Sequence, residues 1–305
     1  MNYQPSDVTV GVRAFNRPKF LEVCLNSIRE QSISGFNVIV VDDSQDPNAA
    51  NENQRVCADY KVSYIKPNKH LRLGGRTLNY VLNYTNTDLI SFIDDDDFWH
   101  KRKLELQLQK LNTDPKIGLV TCSQENFTTD KDQLLKKEKI IRKNIPAFQN
   151  LLHMSGKYLG PPSAVMVKSS IIRELGGFNE AIPRGPCQLL FRKISKNYKI
   201  VACQETLLFY RVHEKSITGA FGGFKDKDDV QSRLMKLQEL NADFDRNLKQ
   251  RYLEEKAILK LILRGVGDDD MLILLRQLGS NLKIFRPILI RAAKILWKAY
   301  NKKNG

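Results

Sequence analysis

The sequence lacks most of the features that would set it apart from an ordinary soluble chain. No stretch approaches the run of about 18 apolar residues that a membrane-spanning helix needs. The opening MNYQPSDVTVGV has neither the basic flank and long apolar core nor the small-residue cleavage site of a secretory leader. The five cysteines, Cys24, Cys57, Cys122, Cys187 and Cys203, are odd in number, widely spaced and never arranged as CxxC. That usage points to reduced thiols in a cytosolic setting, with no disulfide framework and no zinc site. There is no internal repeat and no low-complexity tract. A P-loop, GxxxxGK followed by Ser or Thr, is also missing, which removes the NTPase reading of an aliphatic strand that ends in Asp-Asp.

What is present is a composition suited to a sizeable core, with 42% hydrophobic and 27% charged residues over 305 positions. The formal charge of +15 suits nucleic acid, an anionic membrane or a phosphorylated substrate, and charge alone does not choose among them.

Strand and helix patterns alternate from the start. Val8 to Val12 reads as a short buried strand, and Pro18 to Gln31 as an amphipathic helix with a proline in its first turn. FNVIVVDDSQD is a continuous aliphatic run of the kind buried on both faces of a parallel sheet, and it ends in Asp42 and Asp43. VSYIKPN, from Val62, is a third strand, LGGRTLNYVLNYT a glycine-led helix and DLISFIDDDD a fourth strand, followed by a helix over Lys101 to Leu111. The alternation predicts an open, Rossmann-like, mostly parallel α/β sheet with helices on both faces, and in such sheets ligands collect at the carboxyl ends of the strands.

Beyond these, IGLVTCSQENF reads as a strand and residues 130–143 as a charged surface excursion. SAVMVKSSIIRELGGFNE reads as strand, helix and glycine stop, and KIVACQETLLFYRVHEKSIT as one or two strands ending near His213. From about Lys225 only helical patterns remain.

Four adjacent carboxylates, Asp94 to Asp97, close the fourth strand. In one reading they form a solvated loop. In the other a buried strand delivers them to a cleft, where a divalent cation offsets their repulsion and bridges phosphate oxygens. Strand alternation would aim Asp94 and Asp96 one way and Asp95 and Asp97 the other. Asp97 also suits the N-cap of a helix opening near Phe98.

VTVGVRAFNRPKFLEVCLNSIREQS, NVIVVDDSQD, GGRTLN and FIDDDDFWHKRKLELQLQ, in that order, resemble the family 2 nucleotide-sugar glycosyltransferases, over roughly Val8 to Thr218. The resemblance implies a GT-A fold, with residues 1–115 as the nucleotide-sugar half, 116–224 as the acceptor half and 225–305 as a basic helical extension. It places Arg13, Ala14 and Phe15 against the nucleotide, Asp43 on the base, Arg76 near base or phosphate, and Asp94 and Asp95 at the donor. Asp94 and Asp96 match the ends of the Asp-X-Asp signature. The metal ligands it implies are Asp96 and His213, with Asp94 as a further candidate, for Mn2+ or Mg2+. Gly160, Pro161, Pro162 and Ser163 correspond to the loop that borders the donor sugar.

One departure stands out. The general base of an inverting transfer takes the acceptor proton, and the family supplies an Asp or Glu just before an amphipathic helix. Here that place falls at Cys187 and Gln188, within PRGPCQLLFRK. An amide cannot act as base and an ordinary thiol is poorly suited to it. Both residues are therefore expected to contact the acceptor. The base comes from elsewhere, with Glu180 and Glu205 as candidates, or leaving-group departure drives the step, or the chain is an impaired nucleotide-sugar binder.

Residues 271–305 hold eight cations and no acid, with apolar residues at helical spacing. Such a segment suits either an anionic membrane surface or packing on the catalytic domain. With the resemblance, this implies a cytoplasmic enzyme, peripheral on the inner face of the cell membrane. Its partners would be a nucleotide-sugar donor and a glycan or polyprenyl-linked acceptor of surface-polysaccharide, lipopolysaccharide, O-antigen or capsule assembly, with no nucleic acid. A basic nucleic-acid-binding protein is the remaining alternative, to be recognised by salt-sensitive DNA binding.

Overall fold

The computed structural model describes residues 2–71, 74–130, 133–141, 159–182 and 185–213. The first half is the expected parallel unit. β1 (Val8–Ala14), β2 (Asn37–Asp42), β3 (Ser63–Ile65) and β4 (Leu89–Asp94) lie in the order β3-β2-β1-β4, every pair parallel. β1 and β4 are buried along almost their whole length, as strands covered on both faces must be. Their register sets Arg13 beside Asp94 and Ala14 beside Asp42, so the charged strand ends meet at one edge.

Between the strands run α1 (Pro18–Arg29), α2 (Pro47–Asp59) and α3 (Gly74–Asn83). Gly11 explains how closely α3 settles on β1: a Cβ at that position would collide with Val81 Cγ1. The sequence pattern does not reveal α2, because its buried set is only Ala49, Asn53, Val56 and Cys57 in an otherwise polar segment. Local chemistry makes it a helix instead, with Asp46 accepting from Asn48 N at 3.0 Å and Pro47 in the first turn.

After β4 the chain departs from expectation. Phe98–Trp99 is a short strand, β5, and the next helix, α4, covers Lys103–Leu111. β6 (Ile117–Asp130) leads into β7 (Gln133–Ile140), so the expected surface excursion is the second arm of an antiparallel hairpin. β8 (Met166–Lys168), α5 (Ser169–Glu174), α6 (Pro186–Asn197) and β9 (Lys199–Val212) complete the described chain. β8 joins the halves by pairing antiparallel with both β4 and β6, and β9 runs parallel to β6 and antiparallel to β5.

Two apolar clusters fill the faces of this sheet. One gathers Leu21, Leu25, Cys57, Leu104 and Leu108 from α1, α2 and α4, and the other Leu78, Val81, Ile172, Phe191 and Ile194 from α3, α5 and α6. All five cysteines are buried and none forms a disulfide. Among the described residues no helix is long and apolar enough to cross a membrane. The expected helical extension, residues 225–305, lies outside the described residues.

Candidate active site

The carboxyl ends of β1, β2 and β4 converge, and β4 delivers the aspartates there. Strand alternation stops at Asp94, since Asp97 N donates to Asp94 O at 3.0 Å and closes a turn over Asp95 and Asp96. One oxygen from each of Asp94, Asp96 and Asp97 consequently lies within 4.8 Å of the others. Asp95 is fully buried on a different side, where Oδ2 accepts from Phe15 N at 2.8 Å. This corrects the expected pairing of Asp95 with Asp97. The helix cap expected of Asp97 is corrected too: α4 starts at Lys103, and Asp97 Oδ1 instead accepts from Arg211 N on β9 at 3.0 Å.

Two arginines answer the charge. Arg13 Nε donates to Asp94 Oδ1 at 2.7 Å. Arg17, which the sequence reading left unassigned, reaches Asp95 with Nη2 and Asp96 Oδ2 with Nη1 at 2.5 Å. Burial alone would lower both guanidinium pKa values, but the neighbouring aspartates turn the shift upward. Burial pushes Asp95 up to about 7 in spite of Arg17. Asp97 lies well above the carboxylate range, through burial and the nearby Asp96 and Asp94. Burial also opposes ionisation of Asp96, yet the His213 imidazole and Arg17 hold its carboxyl below the usual range. His213 Nε2 stands 3.0 Å from Asp96 Oδ2, which brings the two ligands implied by the resemblance together.

On the side toward β2, Asp43 is buried: Oδ1 accepts from Leu71 N at 2.9 Å, and Oδ2 lies 3.0 Å from His70 Nδ1 without hydrogen-bond geometry. Phe15 is exposed and stacks on His70 with centroids 6.0 Å apart. An exposed aromatic pair above a carboxylate is a suitable platform for a planar base. His70 gives no signal in the sequence, where it stands alone in a polar loop. Ala14 is buried and uses its carbonyl to receive Asp43 N at 3.0 Å. Arg76 is exposed on α3, with Nε 3.6 Å from Glu180 Oε2.

Gly160, at φ +73, opens the turn that continues through Pro161, Pro162 and Ser163. Ser163 Oγ accepts from Asp94 N at 3.1 Å, so this turn touches the carboxylate cluster directly. Its carbonyls are tied down from behind. Trp99 Nε1 donates to Ser163 O at 2.9 Å, Gln107 Nε2 to Ala164 O at 2.8 Å and Ser91 Oγ to Val165 O at 2.8 Å. Gln107 in turn receives Lys103 Nζ at 2.8 Å.

Gly185 takes a left-handed φ of 62° before α6. Cys187 is buried near enough to Arg13 to act on it electrostatically, and Gln188 is half-buried. Glu180 packs against the start of α3, where its Oε1 accepts from Asn79 Nδ2 at 2.9 Å; Gly74, one turn earlier, lies next to Arg13. Glu205 is exposed on β9 and acts electrostatically on Arg102, a surface residue ahead of α4.

The donor set fits a hard divalent cation. Oxygens of Asp94, Asp96 and Asp97 converge, with the His213 imidazole against Asp96, and Asp97 Oδ2 is buried without a hydrogen-bond partner, a state that costs about 1–3 kcal/mol unless something answers it.

A parallel βα half with carboxylates at its strand ends, joined through β8 to a mixed half, is the arrangement of a GT-A glycosyltransferase. The glycosyl transferase family 2 model matches residues 9–198, and the chain belongs to that family. Amylovoran biosynthesis glycosyltransferase AmsB of Erwinia amylovora is 30% identical over 129 residues, which cover 40% of this chain and 42% of AmsB. S. aureus TarS 1-349 in complex with UDP superimposes with a TM-score of 0.68 at 16% identity, covering 94% of this chain and 87% of that one. Mannosyltransferase PcManGT from Pyrobaculum calidifontis, in complex with GDP-Man and Mn2+, gives 0.56 at 16% identity, covering 95% and 84%. At these identities the two structures speak for the fold alone.

Proposed function

We propose that this glycosyltransferase moves a sugar, with inversion, from a nucleoside-diphosphate sugar to a hydroxyl of a glycan or polyprenyl-linked acceptor in bacterial surface-polysaccharide assembly. The observation that carries the reading is the convergence of Asp94, Asp96 and Asp97 at the carboxyl end of β4, with His213 against Asp96. UDP and GDP-Man in the structural neighbours and the polysaccharide role in AmsB's name support the donor class and the setting.

Asp96 and His213, with Asp94, would hold Mn2+ or Mg2+, which supplies charge neutralisation for a departing diphosphate. Phe15 and His70 hold the base, and Asp43 beside them accepts a hydrogen bond from it. The turn from Gly160 to Ser163 borders the donor sugar, fixed from behind by Trp99 and Gln107. Cys187 and Gln188 contact the acceptor at the start of α6.

Both carboxylates are exposed, and the acceptor proton is assigned to Glu180 because it packs on α3, whose first residue Gly74 meets Arg13, whereas Glu205 lies by Arg102. The basic segment 271–305 suits an anionic membrane surface, where a polyprenyl-linked acceptor would lie. Flotation with anionic vesicles, lost on truncation near Lys225, is the result expected there.

The test of the whole reading is a thermal-shift screen of UDP-, GDP- and dTDP-sugars with Mn2+, followed by donor hydrolysis and transfer assays on the hits. One donor should raise Tm and be consumed. Binding without any turnover would instead favour the impaired binder, and stabilisation by DNA alone would oppose both.

A further inference from the structure

Arg17 occupies the place from which a cation would reach both Asp96 and His213. Its Nη1 is 2.5 Å from Asp96 Oδ2 and 3.1 Å from His213 Nε2, while these two atoms are themselves 3.0 Å apart. The three edges of that triangle cannot all be hydrogen bonds. Nη1 carries only protons, so it bonds His213 Nε2 only if that nitrogen offers a lone pair. Asp96 Oδ2 carries only lone pairs, so it bonds the same nitrogen only if that nitrogen offers a proton. Whichever tautomer His213 adopts, one contact is unsatisfied. A divalent cation in place of Nη1 would accept the lone pairs of Asp96 Oδ2 and His213 Nε2 together.

Two further observations agree. Arg17 Nε is buried without a hydrogen-bond partner, so the guanidinium is not fully bound where it lies. The backbone of Arg17 is held by the start of α1, its carbonyl accepting from Phe20 N at 3.1 Å and Leu21 N at 3.0 Å, which leaves the side chain as the mobile part.

We infer that Arg17 is a tethered counter-ion that competes with the divalent metal for Asp96 and His213. In the metal-free protein it neutralises Asp95 and Asp96. Metal binding requires Nη1 to leave, while Nη2 can stay on Asp95. The inference rests on the metal reading proposed above, and it assigns to Arg17 a weakening of metal affinity, since part of the binding free energy goes into displacing the guanidinium.

The test is Mn2+ titration of the full chain, without donor, followed by electron paramagnetic resonance of free Mn2+ and by thermal shift. Arg17→Gln should bind Mn2+ at least about tenfold more tightly than wild type and show a larger Mn2+-induced rise in Tm. Arg17→Lys retains the charge but cannot span Asp95 and Asp96 together, so it should fall between the two. This variant also carries the test if the glutamine protein fails to fold. Equal or weaker Mn2+ binding by the variants overturns the inference and leaves the metal reading standing. No Mn2+ binding by any of the three proteins overturns both.

Discussion

Lys103 shows how much a single side chain can carry at this site. It is wholly buried, bonded through Nζ to Ser91 Oγ at 3.1 Å and Gln107 Oε1 at 2.8 Å, and 3.8 Å from the Trp99 ring centroid. Burial pushes its ammonium down to about 8. An unfolded lysine titrates near about 10.4, so across that window the native state holds fewer protons than the unfolded one and native stability rises with pH. The full rise is about 3 kcal/mol. Lys103→Met should abolish it, and urea denaturation at about pH 7 and about pH 10 would show a flatter profile than wild type; an unchanged profile would contradict the assignment. Glu180→Gln should cut turnover by about 10²-fold or more with donor affinity kept, as loss of a general base does, whereas Glu205→Gln should leave both intact.

At the scale of elements, α4 anchors the turn that touches the carboxylate cluster at Asp94. Gln107 spans from α4 to Val120 O at 3.2 Å and Ala164 O at 2.8 Å. Gln107→Leu removes the bonds to those carbonyls and leaves the Lys103 ammonium with Ser91 and the Trp99 ring alone. It is expected to cost about 2–4 kcal/mol by denaturant titration and to raise the donor KM more than it lowers kcat, because the bonds it removes position rather than react. Gly11→Ala tests the close seating of α3 on β1. With Val81 in the way, overpacking should cost about 1–3 kcal/mol, and Tm should fall accordingly. Elements with a clean apolar period were legible in advance: β1, α1, β2, α3 and β4 all stand where the pattern put them. α2 was not, because its stripe is short and half polar, and β5 was not, because two residues carry no period.

At the scale of the whole molecule, two apolar cores on either side of one sheet leave the strand ends open along a single edge. Burial of base, diphosphate and metal there should stabilise the native state by mass action, by about 2.7 kcal/mol at a hundredfold excess over Kd. Chelation of the metal should reverse most of that gain in a donor-bound sample, and a donor-induced Tm shift indifferent to chelation would show that the cation has no part in binding. The basic excess is concentrated in residues 271–305, which fits a surface attachment better than a role at the strand ends, where aspartates outnumber the arginines.

The sequence by itself determined the succession of strands and helices in the first half and the delivery of Asp94 to Asp97 to a strand end, which follow from local periods and from which residues stand next to one another; the family resemblance added the missing carboxylate before α6. Only the tertiary structure decided that the aspartates split around a turn, that Asp97 serves β9 rather than a helix, and that Arg17 meets His213 across 196 residues of chain. Contacts of that separation depend on how two halves of a sheet join through β8, and no period along the chain encodes them.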